Sequence, residues 1–271
     1  LLAMVIELGA ARPAPAQNPA QARQNAEFEA LQAYFERAVA RRHDQLFRGL
    51  TTANDWPARR DEMRANLMKI LWHDLRWPAS PPAATITHQS QFEGYSVENL
   101  VLETAPGLYL TANLYLPRSG AGPFPVILYQ CGHANKRYFT RHGAWFAQQG
   151  IAVLVMDNIE MGEIEFTHHG VYAHAWFHWY SRGFSPLAME LWNARRAVDY
   201  LAARPDLDAK RIGATGRSGG GVTTFFLAAI DERIAASAPV SGPISTVGWT
   251  RQRLSSAHCD CQFPVNSYGL L

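Results

Sequence analysis

Apolar side chains recur along this chain with two different periods, and the change between them divides it. From Ala22 to Leu50, Phe28, Leu31, Phe35, Val39 and Leu46 fall near a helical repeat. Asp55 then stands as an N-cap with Pro57 in the first turn, and Met63, Leu67, Ile70 and Leu71 carry a second helix to about His73. Pro78 to Pro82 breaks that pattern. After Ser96 the period becomes two: Ser96–Glu103 and Leu108–Leu116 alternate apolar and polar around Ala105-Pro106-Gly107, which predicts a β-hairpin.

Short apolar runs then alternate with amphipathic ones. Strands are expected at Pro125–Gln130, Ile151–Asp157, Arg211–Thr215 and Ile234–Val240, and helices at Arg141–Gln149, Ser185–Ala203 and Gly220–Ile230. Continuously apolar strands between such helices imply a mostly parallel sheet covered on both faces, preceded by the antiparallel hairpin. Ligands bind such sheets at the carboxyl ends of the strands. The residues to inspect are therefore Cys131-Gly132-His133, Asp157-Asn158, Gly216-Arg217-Ser218 and Ser241-Gly242. The division that follows is a leader at 1–20, a helical extension at 21–95 and the sheet domain at 96–271.

Composition adds mainly exclusions. The 271 residues carry a formal charge of +2 with no long run of one sign, so neither nucleic acid nor a strongly acidic partner is indicated. No stretch approaches eighteen consecutive apolar residues, so no membrane span is expected. The opening LLAMVIELGAARPAPA runs apolar and then Pro/Ala-rich, with Ala14 and Ala16 in an A-x-A arrangement. It resembles the end of a secretory signal peptide and points to a secreted or periplasmic protein, although Glu7 interrupts the run and no basic segment precedes it. Three cysteines, Cys131, Cys259 and Cys261, cannot form a closed framework; export would allow one bridge from Cys131 to either of the others.

The chemistry gathers at GATGRSGGG. Gly216-Arg217-Ser218-Gly219-Gly220 directly follows a strand and directly opens a helix, the setting a nucleophile elbow requires. Glycine at 216 and 220 removes side chains that would strike neighbouring elements. The N–H of Gly219 would lie at a helix N-terminus, where the macrodipole favours negative charge. The plainer reading, a Gly/Ser cap after a core strand, explains the serine but not both glycines. A second oxyanion donor is expected from the loop Cys131–Lys136, at Gly132 or His133. His133 is not expected to be the base, because it precedes the nucleophile.

The elbow GRSGG after RIGATG, the CGH loop and the later stretch AHCDCQFPVNSY resemble α/β-hydrolase-fold esterases over about Gln24 to Tyr268. The likeness is greatest to the acetyl-xylan-esterase-like group, with glucuronoyl esterases more distant. It implies a serine carboxylic ester hydrolase acting on a carbohydrate ester without a cofactor. Such relatives continue past HCDC into strands that deliver the triad acid and histidine. This chain ends at Gly269-Leu270-Leu271, so it reads as a fragment lacking the C-terminal strands, and as inactive if the triad is not completed.

Within the tail the candidates are Asp260 as acid and His258 as base; the plainer reading is that HCDC folds a loop against its neighbours. Asp231 is expected to cap a helix. No metal is expected, since His258, Cys259 and Cys261 lack paired spacing and the helical pair His174/His178 lacks the glutamate of a zinc protease. The segment Asn158–Phe184 reads as an insertion beside the site, with Trp176 and Trp179 either stacking on substrate or filling the core. A peptidase of the same fold and a non-catalytic binding scaffold are the competing classes.

Overall fold

The computed structural model describes residues 18–73 and 76–242. Residues 1–17 of the leader expected at 1–20, and the tail with His258, Cys259, Asp260 and Cys261, lie outside the described residues. The chain divides into two compact units, Leu1–Leu46 and Phe47–Leu271. In the first, α1 (Pro19–Leu46) is a single 28-residue helix carrying an i,i+4 pair, Arg23 to Glu27 at 3.2 Å.

The second unit opens with a 3-10 turn at Ala53–Asp55 and α2 (Trp56–Trp72). Asp55 occupies the N-cap position of α2 as expected, but its carboxylate does not cap that helix. It turns back to accept from the N–H groups of Thr51 and Thr52, at 2.9 and 2.7 Å, so it closes the preceding turn instead. These bonds lower its pKa from the ordinary carboxylate value.

The strands are β1 (Ala83–Phe92), β2 (Tyr95–Ala105), β3 (Leu108–Pro117), β4 (Phe124–Gln130), β5 (Ala152–Met156), β6 (Leu207–Arg217) and β7 (Ile234–Val240). Between them run α3 (Thr140–Gln148), two short helices α4 (Gly170–His174) and α5 (His178–Ser181), α6 (Pro186–Ala203) and α7 (Gly219–Ile230). The described strands form one sheet in the order β1-β2-β3-β5-β4-β6-β7. Pairing is antiparallel from β1 through β5 and parallel from β5 through β4 and β6 to β7. This is the α/β-hydrolase arrangement.

One element lies where the periodicity predicts none. β1 pairs with β2 along its length, so the sheet begins at Ala83, inside the segment assigned to a helical extension. Nearly every β1 side chain is exposed, so no apolar alternation marks it. β6 likewise extends beyond the expected Arg211–Thr215 at both ends.

Alternation on β2 to β6 sorts the core into two faces. On one, Leu100, Leu102, Leu110, Leu114, Leu128, Leu154 and Ile212 pack with Leu187 and Leu191 of α6, Leu227 of α7 and Leu71 of α2. On the other, Val97, Tyr115, Tyr129, Val153 and Val155 pack with Phe139 and Ala147. There α3 lies close over the sheet: a Cβ on its Gly143 would stand 2.5 Å from the Tyr115 ring. Chain leaving β4 crosses through α3 on one face, and chain leaving β5 reaches β6 through α6 on the other. The carboxyl end of β4 is therefore a topological switch point, where such sheets open a crevice.

Candidate active site

Ser218 sits between β6 and α7 with φ 59° and ψ −124°, a positive φ that a side chain rarely adopts. Two main-chain bonds hold it there. Its N–H donates to the Val240 carbonyl at the end of β7 (2.9 Å), and its carbonyl accepts from Val222 N–H (3.0 Å) as α7 begins. The serine is exposed, while Gly219 and Gly220 beneath it are buried.

The glycines around it mark close approach of main chains. A Cβ on Gly216 would stand 2.5 Å from the Gln130 carbonyl, and one on Gly220 would overlap that same oxygen. Gly132 has φ +61°, and its Cβ would stand 2.5 Å from the Arg217 carbonyl and 2.7 Å from Gly220 N. The loop after β4 thus lies directly on the elbow, beside the first N–H groups of α7, which have no partner within their helix. Ser218, Gly219, Gly132 and His133, assigned to one site from sequence, are brought to one end of the sheet.

A buried ion pair fixes this loop. Asp157, at the end of β5 and fully buried, accepts from Lys136 N–H (2.7 Å) and Thr111 Oγ1 (2.7 Å) and pairs with the Lys136 ammonium. Glu163 pairs with the same ammonium from the exposed side. Asn135 Oδ1 accepts from the N–H groups of Arg137 and Tyr138, closing the turn that follows. Cys131 is a buried free thiol, and burial with the nearby Asp157 charge pushes its pKa up, so it is an inert core residue.

A second polar device supports the elbow from below. Glu190 of α6 is 1% exposed, and burial pushes its carboxyl up to about 8, against the opposing hydrogen bonds of Asn158 and Thr223. Thr223 Oγ1 lies 3.0 Å from Glu190 Oε2 and 3.0 Å from the Gly219 carbonyl. One hydroxyl proton serves only one of these acceptors, so a protonated Glu190 donates to Thr223, which donates to Gly219. At neutral pH the native state then holds a proton that the unfolded chain, near 4.5, has released. Stability therefore falls as pH rises from about 4.5 to about 8. Glu190→Gln keeps a donor for Thr223 and removes the titration. Its denaturation midpoint, followed against pH, is expected to rise above the native protein's across that window and to match it below.

Beyond β5 the chain carries α4 and α5. The pair His174/His178 does not share a helix, because α4 ends at Ala175, whose φ of 55° is left-handed, and α5 starts anew at His178. This corrects the i,i+4 expectation. Trp179 packs against Phe184 (5.0 Å between ring centroids), Trp176 (5.2 Å) and Phe166 (6.4 Å), and lies across Gly170. Trp176 remains 37% exposed. Asp231 takes the C-cap of α7, its N–H donating to Leu227 O (2.9 Å), as expected. A hollow of about 370 Å³ lined by Trp77, Arg195, Asp199 and Arg233 lies at the amino end of β7, the opposite end of the sheet from Ser218.

With this geometry, the family model described as glucuronyl esterase, fungi, matches residues 101–260. The chain belongs to the glucuronyl esterase family. A solved methylesterase is 26% identical with a TM-score of 0.63, covering 90% of this chain and 50% of its own. An acetyl xylan esterase from Paenibacillus sp. R4 (20% identical, TM-score 0.51, 67% of this chain and 58% of its own) shares the fold. So does a glucuronoyl esterase from Solibacter usitatus (19% identical, TM-score 0.57, 80% and 68%). The chain thus spans about half the length of the methylesterase and somewhat more of the acetyl xylan esterase. No curated protein matches it. Among the described residues of this esterase-family chain, no helix is long and apolar enough to cross a membrane.

Proposed function

We propose that this protein is a serine-dependent carbohydrate esterase. The observation that carries the reading is the strained Ser218 at the strand-to-helix turn with Gly132 packed on the N–H groups of Gly219 and Gly220. Ser218 Oγ attacks the carbonyl carbon of the ester, and its proton passes to a base. The N–H of Gly219 and one from Gly132 or His133 hold the oxygen that becomes negative. Collapse of the tetrahedral intermediate expels the ester's alcohol, which takes the proton, and leaves an acyl-serine. Water then adds to that ester, the base takes its proton, and the acid departs as Ser218 regains its hydrogen.

His258 and Asp260 remain the base and acid candidates within this chain. A preorganised turn of this kind stabilises charge only where it develops, which suits acyl transfer better than mere binding. The substrate class, an ester of a sugar or uronic acid, rests on the family. Trp176 and Trp179 are proposed to flank the sugar. The Ala14/Ala16 pattern supports secretion or export to the periplasm.

A substrate panel tests the reading. Acetylated xylan, a methyl glucuronate and an aryl acetate are expected to be hydrolysed, and a peptidyl anilide is not. Turnover of the anilide alone would favour the peptidase class, and a folded protein inert to all four would favour a binding scaffold.

A further inference from the structure

We propose that His133, His168 and His169 form a site for one divalent cation of the Zn²⁺ class at the mouth of the crevice. They come from two separate loops of the fold: His133 follows Gly132 on the loop after β4, and His168 and His169 close the loop after β5. Each offers a ring nitrogen, and the three atoms lie within 4.8 Å of one another. Ring centroids are 5.0 Å apart for His133 and His168, 5.4 Å for His133 and His169, and 3.7 Å for His168 and His169.

The chemistry of the cluster favours a cation over an anion. His168 is 2% exposed, its ring held in the interior beside those of His169 and His133, and imidazole nitrogens bind such a cation as lone-pair donors. Its Nδ1 makes no aligned hydrogen bond among the described residues, a polar atom the interior rarely leaves unsatisfied.

Glu160 supplies the supporting carboxylate. It holds a positive φ of 64°, and its Oε2 accepts from the N–H groups of His168 (2.7 Å) and His169 (3.3 Å). The same oxygen stands 3.0 Å from His168 Nδ1 and 3.5 Å from His169 Nδ1. A carboxylate behind a histidine fixes the ring and raises its basicity toward a metal. Tetrahedral nitrogen ligands about 2.0 Å from zinc lie about 3.3 Å apart. Closing the trio to that spacing needs only small ring movements, and a turn of His168 would align its Nδ1 with Glu160. Imidazole donors suit Zn²⁺, Co²⁺ and Ni²⁺ rather than Mg²⁺ or Ca²⁺.

Cation binding at this trio is independent of the role of Ser218, and its test reads binding rather than turnover. The full chain is stripped with chelator, then titrated with Co²⁺ by visible absorption and with Zn²⁺ by calorimetry. One equivalent is expected to bind and to give the intense visible bands of low-coordinate Co²⁺. His133→Ala, an exposed position whose loss leaves the core intact, is expected to weaken binding by about 100-fold or more, and Glu160→Gln by about 10–100-fold. His174→Ala with His178→Ala serves as the control and is expected to bind as the parent does. Absence of saturable binding, affinity unchanged in His133→Ala, or loss of binding only in a His258→Ala, Cys261→Ser variant would overturn the proposal.

Discussion

Ser218→Ala is expected to lower kcat/KM on a carbohydrate ester by about 10⁴–10⁶, with little change in KM or in thermal stability. The size follows from what the hydroxyl does and what its removal leaves. In the proposed reaction, attack by Ser218 Oγ would divide a difficult hydrolysis into two easier steps, and no neighbouring side chain on the elbow can replace it. Arg217 and the glycines carry no nucleophile, and Cys131, the nearest thiol along the adjoining strand, is buried and protonated. What survives is substrate binding and the main-chain donors, which sustain a residual rate above that in water. The fold should not suffer, because alanine removes a single exposed oxygen. It even retains the strained φ of 59° through the same bonds to Val240 and Val222. Steady-state kinetics beside a melting curve checks both halves of this expectation.

The second large effect is expected from Gly132→Ala. The added methyl would stand 2.5 Å from the Arg217 carbonyl and 2.7 Å from Gly220 N, and both neighbours are main chain that cannot swing aside. A φ of +61° adds a conformational cost that glycine alone escapes. The loop must therefore lift from the elbow, although the Lys136–Asp157 pair still ties its far end to β5. Lifting would take the Gly132 or His133 N–H away from the place proposed for the oxyanion. Loss of one such donor costs about 10²–10³ in kcat. Substrate binding elsewhere is unchanged, so the loss should fall in kcat rather than KM, and stability should drop by about 1–3 kcal/mol from overpacking. A denaturant titration separates this from general unfolding: the variant is expected to be folded under assay conditions while kcat falls, whereas unfolding would lower kcat only in proportion to the folded fraction.

Much of this site is legible in the amino-acid sequence, because its logic is local. The elbow needs a strand, a strained serine, small neighbours and a helix within a dozen residues, and RIGATGRSGGGVTTFF carries all of them in order. The strands β2 to β6 are legible for a similar reason: buried faces impose a period of two or a continuous apolar run.

What is hidden depends on exposure or on long-range convergence. β1, Ala83–Phe92, lies on the sheet edge with its side chains in solvent, so nothing selects an apolar alternation, and its pairing with β2 shows only in the assembled sheet. His133 stands 35 residues from His168, and only the parallel placement of β4 beside β5 brings their loops together. The pair His174/His178 shows the converse error. Its spacing is helical, but the helix ends at Ala175 in a left-handed conformation, and spacing alone carries no sign of that break. The buried pair Lys136–Asp157 also escapes pattern reading, since a lysine in a polar loop looks solvated until the end of β5 is laid beneath it.

Membership of an esterase family leaves open which atom of this chain performs the attack, and one measurement addresses that directly. The folded protein is treated with a fluorophosphonate, digested, and mapped by mass spectrometry. A single phosphonylated residue, Ser218, is expected, formed at a rate that falls when Gly132→Ala lifts the oxyanion loop. Labelling at another serine, or no labelling of a protein that still hydrolyses esters, would contradict a nucleophilic Ser218.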